Sequence, residues 1–576
     1  MELVRRETAP GAEARLMAAG IHPLLARLWS SRGIQQADDL DDGLQRLIAP
    51  QQLRGCDAAA ALLADTLGQG GGVVVVADYD CDGATACAAA IRGLGMLGFP
   101  SPSLHYVVPD RAVHGYGLTP AIVDLALQCR PRPQVLVTVD NGIASFEGVA
   151  HARAQGLKVL VTDHHLPAVF DGEIRLPEAD VIVNPNVPGC DFPSKHLAGV
   201  GVIFYTLLAL RAELRRRGRF DAATQPRLDA LLDLVALGTV ADVVRLDDNN
   251  RRLVSQGLKR MRSGRVSPGI QALFAAAGRR IDRTSAMDLG FALGPRINAA
   301  GRLSDMTLGI ECLLSDDPAR AHELAAQLDR INRERRDLEA GMREQAEAMI
   351  EHVLPQETPA AIALFDPLFH EGVVGIVASR IKDRRHRPTF VFALGQDGLL
   401  KGSGRSIPGF HLRDALDLVG KRHPGLLRKF GGHAMAAGAT LSPEGFDTFR
   451  QAFEQVAQEG LDVASLRRQW VSDGALPPEW FDPDVVAQLD AQVWGQAFEP
   501  PLFDAVVEVV HQRIVGGKHL KLQLKLDGHL RDGIWFGRVE NLGPSAHLVY
   551  RVSVDEFNGQ RRVQMMVESE VSDPQA

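Results

Sequence analysis

The chain has 576 residues, enough for three or four domains at roughly 100–200 residues each. Its 45% apolar content supports sizeable cores, and a net charge of −8 excludes a uniformly basic nucleic-acid coat. No run approaches the roughly 20 apolar residues of a membrane span, the start MELVRRETAPGAEARL lacks the apolar stretch of a secretory signal, and six scattered cysteines without a CxxC pair predict reduced thiols in the cytoplasm.

Residues 1–70 read as a helical lead-in, from patterns such as IHPLLARLW and DAAAALLADTL. Three apolar runs follow: VVVVADYD (73–80), VLVTVDNG (135–142) and KVLVTDHH (158–165). Each is short, β-branched and nearly continuous in apolar character, as in parallel strands buried on both faces. Helical stretches such as GATACAAAIRGLGMLG and FEGVAHARAQG separate them. This alternation predicts a doubly wound α/β domain over 71–315, its section 194–262 mostly helical.

Asp317-Pro318 supplies a helix cap and a proline at the first helical position. The apolar residues Leu324, Leu328, Ile331, Leu338, Met342 and Met349 then recur at roughly helical spacing among charged ones. Residues 316–355 therefore read as a long connecting helix. Pro355 and Pro359 mark a break. Residues 356–462 form a second, smaller α/β domain, with strands AAIALF and TFVFAL and a helix after Gly438. Residues 463–576 are strand-rich (DAVVEVVHQRIV, KHLKLQLKL, GIWFGR, HLVYRVSVDEF, RRVQMMVES) and predict a small β-barrel.

Basic residues collect in two tracks. Residues 401–429 hold Lys401, Arg405, Arg413, Lys421, Arg422, Arg428 and Lys429, and residues 513–538 hold Arg513, Lys518, Lys521, Lys525, Arg531 and Arg538. Such tracks suit a guided polyanion; solvated surface is the competing reading.

The placement of acids carries the chemistry. The first apolar run ends in Asp78-Tyr79-Asp80-Cys81-Asp82-Gly83, the second in Asp140-Asn141-Gly142 and the third in Asp163-His164-His165. Open α/β sheets bind ligands beyond the carboxyl ends of their strands, so these residues converge on one crevice. Clustered carboxylates repel one another, and cations resolve the repulsion. Asp242 ends the helical run LGTVAD in apolar surroundings and supplies a fourth element. Carboxylates with imidazole and no thiolate suit Mn²⁺ or Mg²⁺, with Zn²⁺ or Co²⁺ as alternatives. The DxDxDG run alone also resembles a calcium loop, but it lacks the downstream glutamate. Cys81 reads as packing into the strand, and Gly83 as the start of a helix whose N-terminus faces phosphate.

DYDCDG, VTVDNG, VTDHH and GTVADVV resemble the four motifs of the DHH phosphoesterase family. IVNPN (182–186), FPSKHLAGVGV (192–202), GPRINAAGRL (294–303), GVVGIVASRI (372–381) and KFGGHAMAAG (429–438) resemble its single-strand-specific exonucleases. The resemblance implies two divalent metal ions, Mn²⁺ or Mg²⁺. Asp80 would hold one, Asp82, His164 and Asp242 the other, and Asp140 would bridge both. Asp78 stands where several relatives carry a ligand histidine. His165 would contact the scissile phosphate, and Asp163 would orient a ligand histidine.

The segment 401–438 resembles the DHH-associated domain, with Ser403, Arg405, Gly431, Gly432 and His433 as substrate contacts. Its glycines would let backbone N–H groups approach phosphate, and Arg405 would bind phosphate in bidentate fashion. Arg296, Asn298 and Arg302 would touch the nucleic-acid backbone, unless they cap helices or form salt bridges. The last strands resemble an OB-fold, a single-strand binder with a basic groove and aromatic platforms. Lys518 and Lys521 would line the groove, Trp535 and Phe536 serve as platform or as barrel core, and Trp494 and Phe498 pack between domains. The implied activity is 5′-to-3′ hydrolysis of single-stranded DNA in repair and recombination, with a helicase and a single-strand-binding protein as partners. Alternatives are a phosphodiesterase of short oligonucleotides or cyclic dinucleotides, and a non-catalytic DNA-binding scaffold.

Overall fold

The computed structural model describes residues 2–110, 113–115, 117–170, 172–353, 359–462, 465–557 and 560–571. The break expected at Pro355 lies outside them.

The three apolar runs are the centre of a five-stranded sheet, in the order Leu104–Val107, Val73–Ala77, Val135–Val139, Lys158–Thr162, Val181–Val183. Every pair is parallel. Val73 to Val76 are all fully buried, and side chains of this kind contribute about 1.5–3 kcal/mol each on burial. Their alternate members face two different cores, one shared with helices Cys81–Met96 and Gly199–Arg216, the other with helices Pro120–Ala126 and Phe146–Ala154. The register sets Ala77 beside Val139 and Val139 beside Thr162. The next residue on each strand is an aspartate: Asp78, Asp140 and Asp163. Strand register alone thus brings three acids level at one edge of the sheet.

The connector is the 36-residue helix Pro318–Val353, about 54 Å long at 1.5 Å per residue. Ala321, Leu324, Ala325 and Leu328 pack in the first domain's core, and Met342, Ala346 and Ile350 in the second's. Leu338, expected on the apolar face, is 41% exposed at the handover between the two cores.

The second domain has a five-stranded sheet in the order Leu427–Gly432, Ala436–Leu441, Leu400–Arg405, Thr389–Leu394, Ile362–Phe365. Its core holds Phe390, Phe392, Phe449 and Phe453. The glycines of Gly402-Ser403-Gly404 have a packing cause: a Cβ on Gly402 or Gly404 would lie 2.2 or 2.4 Å from the ring of Phe392 or Phe390. The strand that closes after Gly438 precedes the helix Phe446–Gly460.

The C-terminal strands form a closed barrel in the order Phe503–Val515, His519–Leu526, His529–Phe536, Gln560–Glu570, Ser545–Phe557. The lead-in is not helical throughout. Glu2–Arg5 is a strand pairing in parallel with Gln469–Ser472. Four residues of mixed polarity give no periodic signal, so only the distant partner makes them a strand. Arg32 locks the same junction, with both guanidinium ends donating to Asp473 at 2.8 Å. Trp494 and Phe498 stack at 5.5 Å between the domains, under Arg32 and Arg251 respectively.

Candidate metal centre and cleft

Asp80 caps the helix Cys81–Met96 by accepting the Gly83 N–H at 2.9 Å. The helix therefore begins at Cys81, which is buried in its first turn and not in the strand. Gly83 is there because a Cβ would lie 2.5 Å from the Asp78 carbonyl oxygen. Asp82 turns inward and accepts from Gly199 N at 2.5 Å and Val200 N at 2.9 Å, at the start of another helix. Asp140 adopts φ 63°, a left-handed conformation that aspartate tolerates better than most residues. Asn141 ties this turn to the neighbouring strand by donating to Val76 O at 3.1 Å and Val139 O at 2.9 Å. Asp242 is the C-cap of the helix Leu232–Ala241.

These side chains meet in overlapping clusters with ligand atoms within 4.8 Å of one another: Asp78, Asp80 and Asp140; Asp82, His164 and Asp242; and Asp140, His164 and His165. Asp140 and His164 each belong to two of them. His164 Nε2 lies 3.1 Å from Asp140 Oδ1 and 3.5 Å from Asp242 Oδ2. Both Asp140 Oδ1 and His164 Nε2 are buried without a hydrogen-bond partner. Burial and mutual repulsion push Asp78, Asp140 and Asp242 well above the usual carboxylate range, and Asp82 to about 7. Burial and the charge of His165 lower His164 to about 4, which keeps it a neutral donor ligand. Buried carboxylates that repel, orphaned ligand atoms and a neutral imidazole fit two divalent cations.

Asp163 has a different task. It accepts from the backbone of Ile143, His164 and His165, and its Oδ1 lies 2.8 Å from His165 Nδ1. The histidine it orients is thus His165. Burial opposes the charge of both groups, but the pair's hydrogen bond prevails. It holds Asp163 below its usual range and raises His165 to about 9. The Asp163 pairing thus favours the protonated form of His165 at the cluster's edge.

His165, Asp78 and Asp80 open onto a cleft of about 640 Å³ between the two α/β domains. Asn298, Arg302, Ser403, Arg405 and Gly432 line the same cleft. Arg405 is braced there by Ser403 Oγ at 3.1 Å and its neighbour Gly404 O at 2.8 Å. Arg302 reaches Gly372 O at 3.3 Å, spanning the domain gap. Gly431 lies in the adjoining groove with Tyr79, Lys401, Lys429 and Phe430. His433 sits at the hairpin tip; burial and the charge of His165 lower its pKa.

Other expected substrate contacts are placed differently. Arg296 forms a salt bridge to Asp329 of the connecting helix at 2.8 Å and lines no part of the cleft. Asn298 Oδ1 is engaged by Cys81 N at 2.7 Å, so it also steadies the metal loop. Lys518 and Lys521 lie on the barrel, outside the cleft lining. Phe536 is 54% exposed while Trp535 packs partly into the core beneath Arg538. Parts of the basic tracks pair locally, as Lys421 with Asp417, Arg422 with Glu459 and Lys525 with Glu508.

Four residues of the quoted motifs IVNPN, FPSKHLAGVGV and GTVADVV, to which the sequence assigns no individual role, shape the loops. Asn184 donates to His165 O at 2.9 Å and Asn186 to His164 O at 2.6 Å. The Asn-Pro-Asn after the last parallel strand was the available signal. Gly199 and Gly238 leave room for the ligands: a Cβ on Gly199 would sit 2.5–2.7 Å from Asp140 side-chain atoms, and one on Gly238 would sit 2.8 Å from Asp82 Oδ1.

Two predictions arise here. Gly199→Ala is expected to displace Asp140 and weaken Mn²⁺ binding about 10–100-fold, the range for losing a ligand's support; calorimetric titration measures it, and unaltered affinity would remove Asp140 from the site. Mn²⁺ at about 100 times its Kd is expected to stabilise the fold by roughly 2.7 kcal/mol, seen as a rise in melting temperature that EDTA reverses. An absent rise contradicts a preformed site.

Known proteins match this arrangement. The DHH family N-terminal domain matches residues 72–239, the DHHA1 domain 357–459 and the RecJ OB domain 472–569. The single-stranded-DNA-specific exonuclease RecJ of Salmonella typhimurium is 46% identical over 580 residues, covering 98% of each chain. That of Escherichia coli is 46% identical over 582 residues, covering 99% of each. The crystal structure of Thermus thermophilus RecJ in complex with Mn²⁺ superposes with a TM-score of 0.81 at 31% identity, covering 100% of this chain and 80% of that one. The matches cover all three domains and nearly the whole length, and the chain belongs to the RecJ family of DHH exonucleases.

Proposed function

We propose that the protein is a metal-dependent exonuclease that releases mononucleotides from the 5′ end of single-stranded DNA, in repair and recombination. The carrying observation is one cleft lined by Asp78, Asp80 and His165 on one wall and by Ser403, Arg405 and Gly432 on the other. The assignment of single-stranded DNA is supported by relatives bearing that activity in their names at 46% identity; the polarity is what the family resemblance implies.

Two bound ions, Mn²⁺ or Mg²⁺, would supply Lewis acidity and lower the pKa of the attacking water. Asp80 and Asp78 would hold one, Asp82, His164 and Asp242 the other, with Asp140 shared. The chain's own residues position the phosphodiester. Arg405 from across the cleft and Arg302 from the metal-cluster side would offer guanidinium groups to its oxygens. His165, held as a cation by Asp163, donates to the phosphate as negative charge builds on it. The barrel extends the path for the strand, with Lys518 and Lys521 as backbone contacts. A helicase and a single-strand-binding protein are the partners that would expose and present such a strand. Six free cysteines fit a reducing cytoplasm, and no described helix is long and apolar enough to cross a membrane.

The test uses 3′-labelled and 5′-labelled single strands and a blunt duplex, with Mn²⁺, Mg²⁺ or EDTA. Immediate release of the 5′-terminal mononucleotide from single strands, abolished by EDTA, is expected. Intact single strands beside rapid cleavage of dinucleotides would overturn the reading in favour of a small-substrate phosphodiesterase.

A further inference from the structure

One helical stretch, residues 286–303, leads from the cleft toward the barrel. It comprises Ala286–Asp288, the π-helical turn Leu289–Leu293 and Gly294–Leu303, joined without a break. Asn298 and Arg302, near its C-terminal end, line the cleft. Its other end abuts the barrel and the segment before it. Arg283 pairs with Glu556 of a barrel strand at 2.6 Å, and Arg262 donates to Thr284 O at 2.8 Å and to Ala491 O at 3.1 Å.

Most sides of this helix are occupied. Leu289, Leu293, Ile297 and Ala300 are buried, and Arg296 turns to Asp329. Gly290 and Gly294 lie against the end of the helix that carries Asp242, where a Cβ would sit 3.4 Å from Val240 Cγ1 or 3.1 Å from Ala241 Cβ. One side stays open. Met287, Phe291, Pro295, Asn298 and Arg302 recur at spacings of four and three, which makes a single stripe along a helix. Met287 is 49% exposed and Phe291 75% exposed.

A lone exposed apolar side chain needs no explanation, but three features set Phe291 apart. It shares its stripe with two residues of the cleft, about 10 Å along the axis from Asn298. It is the central residue of a π-helical turn, a rare element that is frequent at functional sites. It stands between the metal cleft and the barrel, where a strand using both must pass. Surfaces that hold single strands combine cations for the backbone with aromatic faces for the bases, and Arg302 and Phe291 place one of each on the same stripe. We infer that Phe291 is a positioning residue, a platform on which a base of the single strand stacks between barrel and cleft, with Met287 extending its apolar surface. This deepens the exonuclease reading and rests on it for the identity of the strand.

The test is an affinity measurement on full-length protein carrying Asp140→Ala, in Mn²⁺, with 3′-fluorescent single strands of about 20 nucleotides, longer than the site of one such barrel. One abasic site is moved along the strand from the 5′ end, and anisotropy reads the binding. With Phe291 present, one position or two adjacent positions near the 5′ end are expected to weaken binding about tenfold, the order for one lost stack. Phe291→Ala is expected to weaken binding of the intact strand by the same factor and to abolish the position dependence, because ring and base act as a pair. Phe291→Trp is expected to keep both the affinity and the position dependence. The inference is overturned if Phe291→Ala leaves affinity unchanged, or if it weakens intact and abasic strands equally, as a purely structural residue would. If the pattern is found but protein with Asp140 intact releases no mononucleotide in Mn²⁺, the hydrolytic reading fails and the platform stands; release without the pattern sinks the platform alone.

Discussion

Asp140→Ala is expected to lower hydrolysis of single-stranded DNA by about 10³-fold or more. Asp140 is the carboxylate shared between clusters, 1% exposed, and its Oδ1 has no protein donor. Losing a shared ligand removes several kcal/mol of transition-state stabilisation, and about 4 kcal/mol corresponds to roughly 10³ in rate. The same change should alter the stability of the metal-free fold little, because alanine is strained at φ 63° by about 1 kcal/mol while the carboxylate repulsion is lifted. Asp140 is buried among Asp78, Asp80, Asp82 and Asp242, which burden its charged form, and alanine relieves that repulsion. The signature is therefore a split: activity collapses while the melting temperature in EDTA changes by only a few degrees. Turnover near the unmodified rate would sink the bridging role, and a fall in melting temperature in EDTA well beyond that of Asp140→Asn, which keeps the tolerance for φ 63°, would show that the carboxylate is structural.

His165→Ala is expected to cost about 10²–10³ in kcat, the range for removing one preorganised donor from a developing anion. Asp163→Asn should cost less, about 10–100-fold. It spares the imidazole but loses the 2.8 Å bond that fixes and charges it. Asp163 also accepts three backbone N–H groups that shape the loop, so Asn loses stability as well as rate. Single-turnover hydrolysis at saturating Mn²⁺ measures both. An Asp163→Asn defect exceeding that of His165→Ala would mean that the loop's shape, and not the imidazole, carries the effect.

The central strands and their terminal acids were legible because continuous apolar runs ending in aspartate are a local signal. The edge strands Leu104–Val107 and Val181–Val183 were not, since one is only partly buried and the other has three residues. The candidate ligands were legible as residue types, but their grouping follows from register and from two helices arriving out of sequence. Arg296 shows the limit of motif reading: adjacent to cleft residues in sequence, it turns to Asp329 one helix away. The glycines of the second domain look like phosphate loops in sequence, whereas two of them make room for phenylalanine rings. Such distinctions depend on what lies across the sheet, which a linear pattern does not contain.

The pairing of Glu2–Arg5 with Gln469–Ser472 has a consequence in time. At about 5–20 residues per second, synthesis separates the two strands by on the order of 25–90 seconds. Throughout that interval the nascent chain carries an open strand edge at its front, able to pair with the wrong neighbour. Its mixed, partly charged composition, Glu-Leu-Val-Arg, gives such a wait little adhesive power. The partner of the first strand is made only after both α/β domains and just before the barrel, so the chain's front is fastened late, by the segment that joins the second domain to the barrel.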